Sequence, residues 1–297
     1  MYQENDIKQM VRDVLTDIIG NQSGGAAAQT AQPSSGTASV AAGGDGFADD
    51  VTAISTKDEF HVPDPKNRQG YMDMKQYTVA RLGVWRAGPR YNMWSMLHFR
   101  ADHATAQDAV FTDVADSYAQ EQGFIAGQTV CGSKDEFLTR PDLGRLLNDA
   151  SKDLFKKELP KGAKVTIMIG DGLSSAALVN IPDILPAIKQ GLKGFGVEVG
   201  AIPFVKYCRV GAMDDLGPLI DSEVICLLIG ERPGLATGES MSAYIAYKPN
   251  PERPESWRTV VSNIYKGGTP PAEAGAHIAT VIKKILDGKV SGVDLSL

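Results

Sequence analysis

The apolar and polar positions of this chain change their period three times. Between residues 6 and 20, Ile7, Met10, Val11, Val14, Leu15, Ile18 and Ile19 recur every three or four positions, with Lys8, Arg12, Asp13 and Asp17 on the opposite face. That spacing predicts an amphipathic helix, and Gly20-Asn21 supplies its stop. The pattern then vanishes over residues 22–46, where Gly, Ala, Ser, Thr and Gln dominate. Such a stretch has too little to bury to offset the entropy of ordering it, and it reads as a flexible tether. A helical period returns over residues 76–151, with helices expected at 91–99, 108–119 and 141–154.

From residue 164 onward short apolar runs alternate with helical stretches. Runs at 165–169, 197–204, 224–229, 241–247 and 258–262 predict strands, and 182–192, 213–220 and 272–286 predict helices. This alternation predicts an α/β fold with a doubly wound, mostly parallel, Rossmann-like sheet. Four segments follow: an amphipathic helix at 1–20, a flexible low-complexity linker and irregular segment at 21–75, a small helical domain at 76–160, and an α/β binding domain at 161–297. The unbroken run Val224 to Ile229 fits a strand buried on both faces. It ends in Gly230-Glu231-Arg232-Pro233-Gly234, at the carboxyl end of the strand, where ligands sit in open α/β sheets. A charged pair flanked by glycines at that place is a candidate binding loop.

Composition narrows the class. With 43% hydrophobic and 22% charged residues, the chain matches ordinary globular proteins, and no apolar run approaches the roughly 20 residues of a membrane span. The charged amino terminus lacks the apolar core of a secretory signal. A net charge of −6 argues against nucleic acid as a partner. Three scattered cysteines, Cys131, Cys208 and Cys226, form no C-x-x-C pair and fit a reducing cytosol. The four histidines, His61, His98, His103 and His277, show no metal-ligand spacing, and His98 and His103 read as helix-surface residues.

Two sets of residues bear on chemistry. Gly170-Asp171-Gly172-x-x-Ser175 follows a predicted strand and nearly matches the dinucleotide fingerprint. However, Asp171 would repel a pyrophosphate, and the end of the next strand reads Phe204-Val205-Lys206-Tyr207 with no ribose-binding acid. A nicotinamide cofactor is therefore disfavoured. No nucleophile elbow occurs, and Asp171, Glu231 and Glu239, without a nucleophile or base partner, read as binding or solvated groups before an acid/base set.

The blocks Ala80-Arg81, Arg86-Ala87-Gly88-Pro89-Arg90, Leu138-Thr139-Arg140-Pro141-Asp142-Leu143-Gly144-Arg145, Asp171-Gly172-Leu173-Ser174, Gly230-Glu231-Arg232-Pro233-Gly234-Leu235, Ser262-Asn263-Ile264 and Gly267-Gly268-Thr269-Pro270-Pro271 follow one another in a specific order. In that order the chain resembles the small subunit, or light chain, of ethanolamine ammonia-lyase. The resemblance implies a heteromeric carbon–nitrogen lyase that uses adenosylcobalamin to convert ethanolamine to acetaldehyde and ammonia, with its catalytic residues on the large subunit. It further implies that Val210, Glu231 and Val260 contact cobalamin, with Val260 acting through its main chain and Arg232 serving as a loop anchor or subunit contact. No Asp-x-His-x-x-Gly loop occurs, so the cofactor is expected to keep its own benzimidazole on cobalt. The N-terminal helix is similar to the tags that direct enzymes into bacterial microcompartments, which implies shell-protein partners and a location in the bacterial cytoplasm, inside such a compartment. The alternative is a noncatalytic scaffold whose sheet edge is purely a protein interface.

Overall fold

The computed structural model describes residues 54–296, so the expectations for the N-terminal helix and tether lie outside the described residues. The described residues belong to one compact unit. A two-residue hairpin, β1 (Arg86–Ala87) with β2 (Arg90–Tyr91), precedes a six-stranded sheet. Its strands are β3 (Ile125–Gln128), β4 (Val165–Gly170), β5 (Pro203–Lys206), β6 (Val224–Gly230), β7 (Met241–Tyr247) and β8 (Thr259–Ile264), in the order β3-β5-β4-β6-β7-β8. The β3, β5, β4 and β6 strands are parallel, while β7 runs antiparallel to β6 and β8 antiparallel to β7. The helices are α1 (Arg68–Lys75), α2 (Met93–Phe111), α3 (Tyr118–Glu121), α4 (Lys134–Thr139), α5 (Asp149–Glu158), α6 (Ile181–Gly194), α7 (Ala212–Ile220) and α8 (Pro271–Gly288).

The doubly wound arrangement explains the unbroken apolar run. Successive side chains of a strand point to opposite faces. Cys226 and Leu228 meet Ile184, Ile188 and Ile282 from α6 and α8. Ile225, Leu227 and Ile229 meet Met213 and Leu216 from α7, with Phe155 of α5 in the same layer. Each fully buried Leu, Ile or Met contributes about 1.5–3 kcal/mol, so β6 must be apolar on both sides.

Several boundaries differ from the sequence reading. The strand expected at 197–204 is confined to Pro203–Lys206. Val197 and Ile202 are buried, so their apolar signal reports core packing and not membership of the ladder. Helices expected at 91–99 and 108–119 are replaced by the single 19-residue α2 and the short α3. The intervening residues 100–107 are alanine-rich and free of Gly and Pro, so nothing breaks the helix. The helix expected from residue 141 starts at Asp149, because Asn148 caps it by accepting the Ser151 N–H at 2.8 Å.

The segment read as wholly helical also donates β3 to the sheet. A Cβ on Gly127 would sit 2.3 Å from the Phe155 ring, so that strand must carry a glycine to let α5 pack. His98 is buried rather than on the surface: its ring lies 4.1 Å from Trp94, which in turn lies 4.1 Å from His61.

Candidate functional site

The loops after β4, β5 and β6 all leave the carboxyl edge of the parallel strands. Two of them touch backbone to backbone. The Leu173 N–H donates to Gly230 O at 3.2 Å, and a Cβ on Gly230 would lie 2.0 Å from Ser174 O. A Cβ on Gly172 would lie 2.4 Å from Gly230 O. The glycines that imitate a dinucleotide fingerprint thus serve loop packing.

Asp171 is fully buried beneath this junction. Its Oδ1 accepts from Ser175 Oγ at 2.9 Å, and its Oδ2 has no partner among the described residues. Burial holds its carboxyl above the ordinary value, against the pull of Lys134 and of the Ser175 hydroxyl. Glu239 is exposed and Glu231 half-buried, and among the described residues no hydrogen bond joins these carboxylates into an acid/base set.

Glu231 is the first residue beyond β6. Its Oε1 accepts from Tyr244 Oη at 2.8 Å, and Tyr244 is the register partner of Val260 on β8. Glu231 and Val260 therefore share one neighbour on one face of the sheet. Burial, followed by the bond to Glu231, pushes the Tyr244 phenol up to about 12, so it stays protonated and donates. Among the described residues no donor reaches Glu231 Oε2. Val260 is 45% exposed although its strand neighbours Thr259 and Val261 are more buried.

Val210 leads into α7 and packs half-buried against the same layer as Tyr244. The loop carrying it is held in an uncommon conformation. Tyr207 lies in the left-handed region at φ 56°, its carbonyl takes the Thr129 hydroxyl at 2.9 Å, and its ring stacks on Phe137 at 5.8 Å. A pair of residues not anticipated from sequence joins the elements bearing Val210 and Val260. Asp214, in the first turn of α7, binds Arg258, the residue before β8, and their side chains are only 13% and 9% exposed. Burial raises the Asp214 carboxyl more than Arg258 lowers it.

Fold and rim together define a class: a doubly wound α/β chain with a polar loop rim at the carboxyl edge of its sheet. A family model of the ethanolamine ammonia-lyase light chain matches residues 68–296. The chain is 50% identical to the ethanolamine ammonia-lyase small subunit of Listeria innocua over 98% of its own length and 99% of that protein. The small subunits of Clostridium perfringens and Clostridioides difficile are 50% and 48% identical over the same shares. The chain belongs to the ethanolamine ammonia-lyase small-subunit family.

Proposed function

We propose that this chain joins the large subunit of ethanolamine ammonia-lyase and closes the adenosylcobalamin site of a complex that converts ethanolamine to acetaldehyde and ammonia. The observation that carries the reading is the Glu231 carboxylate, with one oxygen fixed by Tyr244 and the other without a donor among the described residues. The amide side chains around a corrin ring are N–H donors, and a carboxylate is the strongest protein acceptor for them. Val260 offers an open apolar edge beside it, and Val210 adds a third point at the head of α7. Bound adenosylcobalamin would supply the radical chemistry, and this chain's residues bind and orient it without a catalytic role of their own.

Helix α2 supports a large partner. Of its 19 residues only Ser95, His98 and Ala109 are buried, while Met93, Met96, Leu97, Phe99 and Phe111 are exposed. An apolar surface of that kind marks a protein contact. Among the described residues no helix is long and apolar enough to cross a membrane. The segment of residues 1–20, in this reading, carries the complex into a bacterial microcompartment. Deleting residues 1–46 should abolish co-localisation with shell proteins and leave activity intact; persistent encapsulation would remove that assignment.

The test of the main reading is an absorbance titration of cobalamin into the co-expressed complex. Glu231→Ala should weaken binding roughly tenfold or more, the loss of a hydrogen bond to a charged group. A scaffold whose sheet edge is only a protein interface forecasts no change in cobalamin affinity.

A further inference from the structure

Beside the rim lies a cavity of about 390 Å³ between α2 and the loops after β4, β5 and β6, walled by His103, Phe111, Leu138, Leu173, Arg209 and Arg232. Its two arginines are the immediate sequence neighbours of Val210 and Glu231. Neither has a carboxylate partner among the described residues. Among the acids of the adjoining loops, Asp142 pairs with Arg140 and Glu255 with Arg145, and among the described residues Asp171, Glu231 and Glu239 form no ion pair with either arginine.

Arg209 is fixed in place. Its guanidinium lies 4.4 Å over the Phe137 ring and donates to Phe137 O at 2.8 Å, and its Nε is buried without an acceptor. Burial first, and then the charges of Arg232 and Arg145, disfavour its cation. The side chain of Arg232 makes no hydrogen bond or ion pair among the described residues, so of the two roles expected for it, loop anchor or subunit contact, no bond within the chain supports the first.

Two guanidiniums without an acidic partner among the described residues converge on a cavity of ligand size, an arrangement that suits an anion. Guanidiniums match the geometry of phosphate oxygens, and the apolar walls suit a flat base and sugar. Cobalamin carries neutral amides around its ring and a single anion, the phosphodiester of its nucleotide tail. We infer that Arg209 and Arg232 bind this phosphodiester, so that the chain recognises the tail of the cofactor as well as the rim of its ring. The inference rests on the cobalamin reading above.

The test titrates the co-expressed complex with cobalamin and with cobinamide, which has the corrin ring but no phosphodiester. Wild type should bind cobalamin at least tenfold tighter than cobinamide. Arg232→Gln, at an exposed position, should lose roughly tenfold for cobalamin and less than twofold for cobinamide. Arg209→Lys should show the same selectivity, with size-exclusion elution unchanged. Equal loss for both corrinoids, no loss for either, or dissociation of the subunits by Arg232→Gln would overturn the inference. Failure of the cobalamin reading itself looks different: Glu231→Ala would then leave binding of both corrinoids at the wild-type level.

Discussion

Replacing Arg258 with alanine should destabilise the protein far more than an ordinary ion-pair mutation. Arg258 and Asp214 are 9% and 13% exposed, so little water remains to screen either charge. An exposed pair is worth about 0–1 kcal/mol, but removing one partner of a buried pair strands the other charge at a cost of about 3–5 kcal/mol. Glu255 approaches Arg258 at 3.7 Å but is 64% exposed, so it contributes little. For a chain of this size, where each kcal/mol moves the melting midpoint by about 2–4 °C, the loss corresponds to roughly 6–20 °C.

Because the pair joins α7 to β8, the same variant should also weaken cobalamin binding. The double variant Asp214→Leu with Arg258→Met removes both charges and should recover most of the stability, to within about 2 kcal/mol of wild type. Thermal unfolding of Arg258→Ala, of the singles Asp214→Leu and Arg258→Met, and of the double variant decides the matter. If Arg258→Ala costs less than about 1 kcal/mol, or if the double variant costs as much as the two singles together, the pair is not the buried clamp described above.

Two further outcomes follow from the rim and the layer beneath it. Tyr244→Phe removes the donor to Glu231 and should cost about 1 kcal/mol of stability and roughly fivefold in cobalamin affinity, read by calorimetry and absorbance titration. Unchanged affinity would show that Glu231 needs no orienting partner. Asp171→Asn addresses pH dependence. The raised Asp171 carboxyl holds its proton more tightly when folded, so its contribution is fully present below the ordinary value of 3.8 and is lost as pH rises through the folded value. Each pKa unit of elevation is worth about 1.4 kcal/mol. Urea midpoints should therefore move against wild type, relative to Asp171→Asn, as pH rises above 3.8. A shift in the opposite sense would mean that the carboxylate is ionised and stabilised by Lys134.

What the sequence revealed follows burial. Strands β4, β6 and β7 and helices α6 and α8 meet apolar neighbours on fixed faces, so their period is written in the residues. Strand β3 was illegible because Gly127 is small to admit the Phe155 ring of α5 and Ala126 is exposed, which leaves little apolar signal. Helix α4 was missed although Ser133-x-x-Glu136 has the residue pattern of a capping box. Ser133 Oγ accepts the Glu136 N–H at 3.2 Å, and Glu136 Oε2 accepts the Gly132 N–H at 2.7 Å. At the site, Glu231 was legible from its place after a doubly buried strand. Its partner Tyr244 was not, because their meeting depends on the antiparallel turn back from β6 to β7. The Asp214–Arg258 pair is separated by 44 positions and is visible only once α7 and β8 are placed on one face.

The most direct measurement is a solved structure of the two-subunit complex with cobalamin bound. The account predicts a Glu231 carboxylate oxygen at hydrogen-bonding distance, about 2.7–3.2 Å, from a corrin amide nitrogen, with Val210 and Val260 against the same macrocycle. A macrocycle held wholly by the large subunit, with the Glu231 rim facing water, would contradict it.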